Sequence, residues 1–465
     1  MLKCILLFAA LLSTGSAFPA RDSRPLAIVG GTLIDVSEFG RSNHDMRDAV
    51  IIVRDGRIVD VGPRQSINIP KDAEILDAAG GFVIPGLHDV FATLNTQGQA
   101  NAFLLSGVTS IIGLDEPGGR RGPLWLGAEP GPRIQRLEEL TGYDERALGS
   151  GVWSVGALLD RGRRLTEAEL IADIDARAKR GVKALLLYYT LSPEQVKLAA
   201  ARARKDGLAT IGELGATSYA EGVRAGVMAF VHTSRYTLDL ASDELRQAVA
   251  REPFGPTRQA YYEFLAGLRT NDPKLTEYAR TLAAGHTALI PTSAMGYLNL
   301  PGHRNPWDDP VAAVLDPRDI HMPADRRTGE QPPPANGVRD GFPPGSSEHL
   351  LAIEARYCGA GATYLAGSGT DAFGTMPGIS LHIELELLVK TCLTPRQALA
   401  AATSNVGASF HWRTTGEIKP GYDADLVVLD ADPTRDIANA KRVRSVVLAG
   451  KVLDLEALRR LPAQR

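Results

Sequence analysis

The sequence has no excess of charge of either sign and no long apolar stretch. Its 51 Lys and Arg against 54 Asp and Glu give a net charge of −3, which offers no electrostatic basis for binding nucleic acid. The apolar run at residues 4–12 is far shorter than the ~20 residues that a membrane-spanning helix needs. We therefore expect neither a nucleic-acid partner nor a membrane span.

Cysteine is scarce, with three residues in the whole chain. No Cys-x-x-Cys pair is present, so a cysteine-based metal site has no support. Two cysteines, Cys358 and Cys392, lie outside the N-terminal segment, and in an exported protein they could form one disulfide. Two buried thiols are the alternative. The sequence does not decide between the two, because it does not show whether the residues are close.

Residues 1–17 have the pattern of a secretory signal peptide. Lys3 supplies a positive charge, residues 4–12 are apolar, and residues 15–17 are small enough for a signal peptidase site. A buried N-terminal helix is the alternative. We expect the mature chain to begin near Phe18 and the protein to be exported to the periplasm or the extracellular space.

Both ends of the chain have the composition of short strands. Near the beginning, two β-rich runs separated by Asp55-Gly56 predict a hairpin. Near the other end, residues 424–430 and 443–448 are similarly β-rich. Because a few strands need a second layer to cover them, we predict one small β-sandwich built from residues 27–85 and 415–455.

Between the two ends, helix-like runs alternate with Gly-containing turns and short apolar segments. Residues 166–180 and 193–206 are helix-like, and residues 184–188 between them are apolar. This alternation is typical of a parallel α/β domain, and six or more such units favour a (β/α)8 TIM-like barrel over an open sheet. We place the barrel at residues 86–414, with a Pro- and Gly-rich loop insertion at about 300–347.

Several stretches resemble the amidohydrolase superfamily, especially its imidazolonepropionase-like and dipeptidase-like members. They are Phe82-Val83-Ile84-Pro85-Gly86-Leu87-His88-Asp89, Ala366-Gly367-Ser368-Gly369-Thr370-Asp371-Ala372, Leu393-Thr394-Pro395, and the run from Pro420 to Asp430. The resemblance extends from about residue 28 to residue 451. It implies a distorted barrel, a flanking sandwich, and hydrolysis of C–N bonds in small amides, cyclic amides or dipeptides by metal-activated water.

The resemblance also implies metal ligands at particular strand ends, and several are replaced here. Two histidines one residue apart are expected at the end of the first barrel strand, where this chain has Phe91 and Thr93. A lysine is expected on the fourth strand, where it has Leu186. An aromatic ring cannot coordinate such an ion, and a lone hydroxyl is a poor substitute for imidazole. His88 lies nearby but has the opposite strand parity, so the usual two-metal centre is not expected.

Three candidate ligands remain: Glu213 in place of the histidine of the fifth strand, His232 of the sixth and Asp371 of the eighth. Two carboxylates and one imidazole could hold a single zinc, manganese or iron ion. That ion would lower the pKa of a bound water, and Asp371 or Glu213 would take its proton. The first hypothesis is therefore an atypical single-metal hydrolase with Asp371 as a catalytic residue.

The favoured hypothesis is a catalytically silent relative, a pseudoenzyme without a metal cofactor. Phe91 and Leu186 would fill the metal positions, and the barrel would retain a pocket for a small amide or peptide-like ligand. A third hypothesis is metal-free hydrolysis by Glu213 and Asp371 as an acid–base pair. Structural roles for the same side chains also stay open, as does assembly into a homo-oligomer.

Overall fold

A computed structural model describes residues 24–114, 130–144, 155–253, 257–330 and 345–460 of the chain. The predicted signal peptide, residues 1–17, lies outside these ranges. The strands are β1 (Leu26–Leu33), β2 (Met46–Arg54), β3 (Arg57–Pro63), β4 (Glu74–Asp77), β5 (Phe82–Pro85), β6 (Leu87–Ala92), β7 (Val108–Leu114), β8 (Arg133–Leu140), β9 (Tyr143–Asp144), β10 (Arg163–Arg164), β11 (Ala184–Leu187), β12 (Ala209–Gly212), β13 (Ala229–Val231), β14 (Ala288–Ile290), β15 (Thr363–Tyr364), β16 (Leu426–Leu429), β17 (Val443–Leu448) and β18 (Lys451–Val452).

The helices follow the barrel strands or cover the ends of the sheets. They are α1 (Ser37–Gly40), α2 (Gln97–Leu105), α3 (Val155–Arg161), α4 (Glu167–Lys179), α5 (Pro193–Asp206), α6 (Tyr219–Ala225), α7 (Thr233–Tyr236), α8 (Asp243–Arg251), α9 (Thr257–Gly267), α10 (Pro273–Ala284), α11 (Ser346–Gly359), α12 (Ile379–Thr391), α13 (Pro395–Ala401), α14 (Ser404–Phe410) and α15 (Leu455–Arg460).

The two ends of the chain form one sheet, with strand order β18-β17-β16-β5-β1-β2-β3 and β4 paired with β1. The predicted hairpin is present as β2 and β3, joined at Asp55-Gly56. The start of β3 also pairs with the segment before β16, because the Ile58 N–H donates to the Tyr422 carbonyl at 2.9 Å. The sheet thus folds over a shared apolar core that contains Ile28, Ile51 and Leu426. The predicted flanking sandwich from both ends is confirmed.

The middle of the chain forms eight parallel strands in the order β6-β7-β8-β11-β12-β13-β14-β15. The segment after β15 returns to β6: the Val90 N–H donates to the Ala366 carbonyl at 3.0 Å, and the Gly369 N–H to the Phe91 carbonyl at 2.9 Å. These bonds connect the last strand to the first. The predicted TIM-like barrel is therefore confirmed, whereas the domain boundaries that we assigned stay predictions.

Several barrel helices begin with a capping box, in which the N-cap residue and the residue three positions later hydrogen bond to each other's backbone. Thr166, Ser192, Ser218 and Thr394 each accept a hydrogen bond from the backbone of the residue three positions later, a Glu or Gln that bonds back to the cap. Such capping boxes satisfy N–H groups that the helix itself leaves unpaired. They fix where these four helices start.

Cys358 at the end of α11 and Cys392 just after α12 form a disulfide, with Cα atoms 6.2 Å apart. Of the two alternatives left open by the sequence, the bridged one is present. Within the predicted loop insertion, the described residues up to 330 contain short 3-10 turns. Trp307 and Val314 of this segment pack with residues of α2 and α12. No helix in the described ranges is both long and apolar enough to cross a bilayer.

Candidate functional site

A cavity of about 240 Å³ lies where β12, β13 and β14 end. This is the carboxyl end of the barrel, where TIM-barrel proteins place their functional side chains. Its polar lining consists of Glu213, His232, Thr233, Ser234, Arg235, Arg258, Tyr262, Thr292, Ser293 and Ser347. Its apolar lining consists of Pro291, Met295, Gly296, Leu300, Leu350, Leu351, Ala372 and Phe373. A concave site in which polar groups converge beside apolar surface is the usual form of a small-ligand pocket.

Glu213 directly follows β12, and its backbone N–H continues the parallel ladder by donating to the Leu187 carbonyl at 2.9 Å. Its side chain is 9% exposed, and Oε1 accepts a hydrogen bond from the Tyr189 hydroxyl. Oε1 also lies 3.7 Å from Nε of Arg235, which is itself buried. Glu213 is therefore a buried carboxylate with a cationic partner, which is the condition under which a buried charge is tolerated.

His232 follows β13 in an unusual backbone conformation, with φ at 67°. This non-glycine residue is held there by its N–H, which donates to the Ile290 carbonyl at 2.9 Å, and by its carbonyl, which accepts from the Arg235 N–H at 2.7 Å. Sparsely populated backbone conformations are characteristic of functional sites, where the surroundings enforce them. The conformation directs the chain from the strand into α7, whose first three residues line the cavity.

The tautomer of His232 follows from its neighbour. Thr292 Oγ1 donates to the Pro291 carbonyl at 2.6 Å, so it can only accept from His232 Nδ1, which lies 2.6 Å away. Nδ1 therefore carries the proton, and Nε2 keeps its lone pair. Burial lowers the pKa of His232 to about 4, so the ring is neutral near pH 7. No described residue hydrogen bonds to Nε2, which is available as a base or a ligand atom.

The predicted substituted positions lie inside the barrel. The Phe91 ring packs edge-on against His232, with ring centroids 5.2 Å apart and planes at 85°. Leu186 is 1% exposed and belongs to the same interior cluster as Phe91. Thr93 Oγ1 is buried and has no hydrogen-bond partner within the described ranges. His88 is on the other side of the strand, where Nε2 lies 2.9 Å from Thr415 Oγ1, as the strand parity predicts.

Asp371 lies beside a different part of the barrel mouth. Its Oδ1 accepts a hydrogen bond of 2.6 Å from the backbone N–H of His321, in the long loop. The next two residues, Ala372 and Phe373, line the cavity, whereas Asp371 is not among its lining residues. The structure thus places Glu213 and His232 in one cavity and uses Asp371 to hold the loop. In the described part of the chain, no group of three or more His, Cys, Asp or Glu is arranged to hold a metal ion.

Sequence reasoning missed several residues of this site. Arg235, Arg258 and Thr292 line the cavity, but no motif spacing relates them, because Arg235 lies in α7, Arg258 in α9 and Thr292 just after β14. Asp89 was also missed. It is fully buried, and its Oδ1 accepts from the Ser368 N–H at 2.9 Å, which fixes the segment after β15 to β6. The signal for Asp89 was its place within the stretch that resembles the first barrel strand.

Comparisons with known proteins agree with this fold. The amidohydrolase family matches residues 349–453 of the chain. The imidazolonepropionase of Deinococcus deserti is 36% identical over 114 residues, which are 23% of this chain and 28% of that protein. The ochratoxinase of Aspergillus niger is 36% identical over 90 residues, 18% of each chain. The matches therefore span less than a third of these relatives' own lengths.

Solved structures resemble the chain over nearly its whole length. A Xaa-Pro dipeptidase with bound methionine aligns with a TM-score of 0.60 at 15% identity, over 92% of this chain and 100% of that one. Molinate hydrolase aligns with a TM-score of 0.59 at 18% identity, over 94% and 96%. At such identities the likeness shows the fold. Over the residues that they match, the family and the relatives support the resemblance to the amidohydrolase superfamily.

Proposed function

We propose that this protein is a catalytically silent member of the superfamily that binds a small amide or peptide-like ligand in the cavity beside Glu213 and His232. The observation that carries the proposal is the packing of Phe91 against His232. The ring occupies the position where the superfamily resemblance implies a metal-binding histidine, and it has no atom that can coordinate an ion. Leu186, buried at the position of the implied lysine, supports the same conclusion. The residues present do not fit a two-metal centre.

The relatives are named for hydrolysis: a dipeptidase, an ochratoxinase and a molinate hydrolase. They support descent from hydrolases of amide-like bonds. Loss of the ligand residues while the cavity persists fits a change from turnover to binding, because function depends on the site and not on the fold. A homo-oligomer remains compatible with this proposal.

The test is the metal content and turnover of clean protein. Tag-free protein is purified without chelators, incubated with zinc, manganese or iron(II), dialysed and analysed by elemental analysis. The same samples are assayed against dipeptides and N-acyl amino acids. We expect no stoichiometric metal and no turnover above a protein-free blank. Turnover that depends on added metal would contradict the proposal.

A single-metal hydrolase is the second candidate, and the free lone pair of His232 Nε2 favours it. Glu213 and His232 share a cavity, and Asp371 would have to leave the His321 N–H to join them. An ion held there would supply a bound water of lowered pKa. Stoichiometric metal that is lost in Glu213→Ala, His232→Ala and Asp371→Ala would establish this candidate, and metal retained in all three would exclude it.

We also propose that the protein is exported and that residues 1–17 are removed. The disulfide between Cys358 and Cys392 supports this, because such bonds persist in oxidising compartments. N-terminal sequencing of protein recovered from outside the cytoplasm tests it. A first residue near Phe18 is expected, whereas an intact Met1 would contradict export by this segment.

A further inference from the structure

We propose that Arg258 and Ser347 form an anion subsite in the wall of the cavity, and that this subsite holds the carboxylate of the ligand. The inference rests on the proposed binding function and deepens it, since it defines the ligand as a small amide that carries a carboxylate. N-acyl amino acids and short peptides have this chemistry.

Arg258 lines the cavity, and the described part of the chain provides no counter-ion for it. The chain offers it two rings, with the guanidinium carbon 5.6 Å from the Tyr262 centroid and 5.7 Å from that of Phe373. Its Nε is buried and has no hydrogen-bond partner in the residues described, and none of their carboxylates forms an ion pair with it. Stacking positions an arginine and leaves its N–H groups for a planar anion.

Ser347 adds a second unsatisfied donor to the same cavity. The residue is 5% exposed, and its Oγ has no hydrogen-bond partner within the described ranges. It is the second residue of the 14-residue helix α11, whose N-terminal end carries positive partial charge that favours an anion. A buried hydroxyl without a partner costs stability unless a ligand or water satisfies it.

The charges of the cavity leave Arg258 uncompensated. Glu213 and Arg235 form an ion pair, with Oε1 of Glu213 and Nε of Arg235 3.7 Å apart. This pair contributes no net charge, and no carboxylate within the described ranges forms an ion pair with Arg258. An anionic ligand would complete the pairing.

The rest of the cavity suits an apolar side chain attached to that anion. Leu350 and Leu351 follow Ser347 by three and four residues, so all three share one face of α11. Met295 and Leu300 contribute further apolar surface. The volume of about 240 Å³ is below the roughly 300–1,000 Å³ of sites for drug-sized ligands, which favours a ligand of the size of a single acylated amino acid.

The experiment compares two probes that differ only in charge, N-acetyl-L-leucine and N-acetyl-L-leucinamide. Binding of each to the full chain is measured by isothermal titration calorimetry. We expect the acid to bind about tenfold or more tightly than the amide, because hydrogen bonds to charged groups contribute that much affinity. Equal affinities would overturn the subsite and leave the proposed binding function in place.

Variants locate the effect. Arg258→Gln should lower the affinity for the acid by about tenfold or more. Its affinity for the amide should be nearly unchanged, which also shows that the variant is folded. Arg258→Lys should have an affinity for the acid between those of the wild type and Arg258→Gln. Ser347→Ala should lower that affinity less than Arg258→Gln does. The substitution of an exposed arginine, Arg269→Gln, is the matched control. Unchanged acid binding in Arg258→Gln would overturn the assignment.

Two further outcomes are decisive. Inorganic phosphate that binds more tightly than the acid and competes with it would replace the carboxylate assignment with a phosphate one. If neither probe binds at millimolar concentration, the subsite for N-acyl amino acids is excluded. The absence of metal-dependent turnover is a separate measurement, so a failure here is distinguishable from a failure of the proposed function.

Discussion

At the mouth of the barrel, the ends of β6 and β11 carry Phe91 and Leu186, whereas the ends of β12 and β13 carry Glu213 and His232. We call the first pair the apolar side and the second pair the polar side. On the apolar side the inward positions are filled by packed hydrocarbon. On the polar side they carry a paired carboxylate and an imidazole with a free nitrogen, and a cavity opens above them. The same fold thus supports core packing on one side and a cavity with polar lining on the other.

The comparison teaches that a strand end in a barrel can be either core or site. What separates them is whether the loops above provide partners for polar groups. Glu213 has Arg235 and Tyr189, and His232 has Thr292. No such partners are found for Thr93 Oγ1 in the described part of the chain.

The largest effect is expected from placing a charge on the apolar side. Leu186→Lys should destabilise the protein by at least about 4 kcal/mol, since a buried lysine must shift its pKa by several units at 1.36 kcal/mol each. Leu186→Met, which conserves volume, should cost less than about 1.5 kcal/mol. Chemical denaturation measures both. A stable Leu186→Lys protein that binds divalent metal would abolish the distinction between the two sides.

The next effect concerns the support beneath the polar side. Glu354 is fully buried and accepts hydrogen bonds from the hydroxyls of Tyr236, Tyr364 and Thr233 at 2.6, 2.6 and 2.7 Å. Glu354→Ala leaves three hydroxyls without this acceptor and should cost roughly 3 kcal/mol or more. Glu354→Gln keeps an acceptor and should cost clearly less. Equal unfolding free energies for the two variants would show that the network does not stabilise this side.

A pH dependence is expected from Asp89, which lies next to the apolar side on β6. Burial raises its pKa from 3.8 to about 7. As pH rises from about 4 to 7, the unfolded chain loses this proton while the folded protein retains it. Stability therefore falls, by about 1.4 kcal/mol per pH unit from this group. In Asp89→Asn this loss should be absent, so the stability of the variant relative to the wild type should increase as pH rises. Parallel stability curves in urea titrations at several pH values would contradict the buried proton.

The smallest effect tests the tautomer on the polar side. Thr292→Val removes the acceptor of His232 Nδ1 and should lower stability by about 1 kcal/mol, whereas Thr292→Ser retains the hydroxyl. Nitrogen chemical shifts of the ring should show a protonated Nδ1 in the wild type and a shift toward a protonated Nε2 in Thr292→Val. A protonated Nε2 in the wild type would remove the free lone pair from the site.

Much of the fold could be predicted because its signals are local. Residues 166–180 and 193–206 were predicted as helices and form α4 and α5, each bounded by a capping box and a Gly or basic end. The hairpin at Asp55-Gly56 is equally local, because the turn chemistry itself favours it. Strand β8 was missed. Its sequence Arg-Ile-Gln-Arg-Leu-Glu-Glu-Leu is charged, and its polar residues find partners elsewhere, such as Asp425 for Arg133 and Arg177 for Glu138.

The candidate site divides in the same way. Glu213 and His232 could be predicted, since each directly follows a recognisable buried strand. The placement of Asp371 on the His321 N–H could not, because that contact joins residues 50 positions apart. Arg258 and Ser347 were not found for the same reason, since no spacing in the sequence relates them.

By itself, the sequence determined the class of fold, the sandwich from both chain ends, and the residue types that stand at the strand ends. Strand and helix periodicity, turn chemistry and capping are local properties, so these features are written in neighbouring residues. Only the tertiary structure decided that Cys358 meets Cys392, that Thr292 sets the tautomer of His232, and that Arg258 and Ser347 face one cavity. These outcomes depend on distances between segments far apart in the chain, and packing of the whole barrel sets those distances.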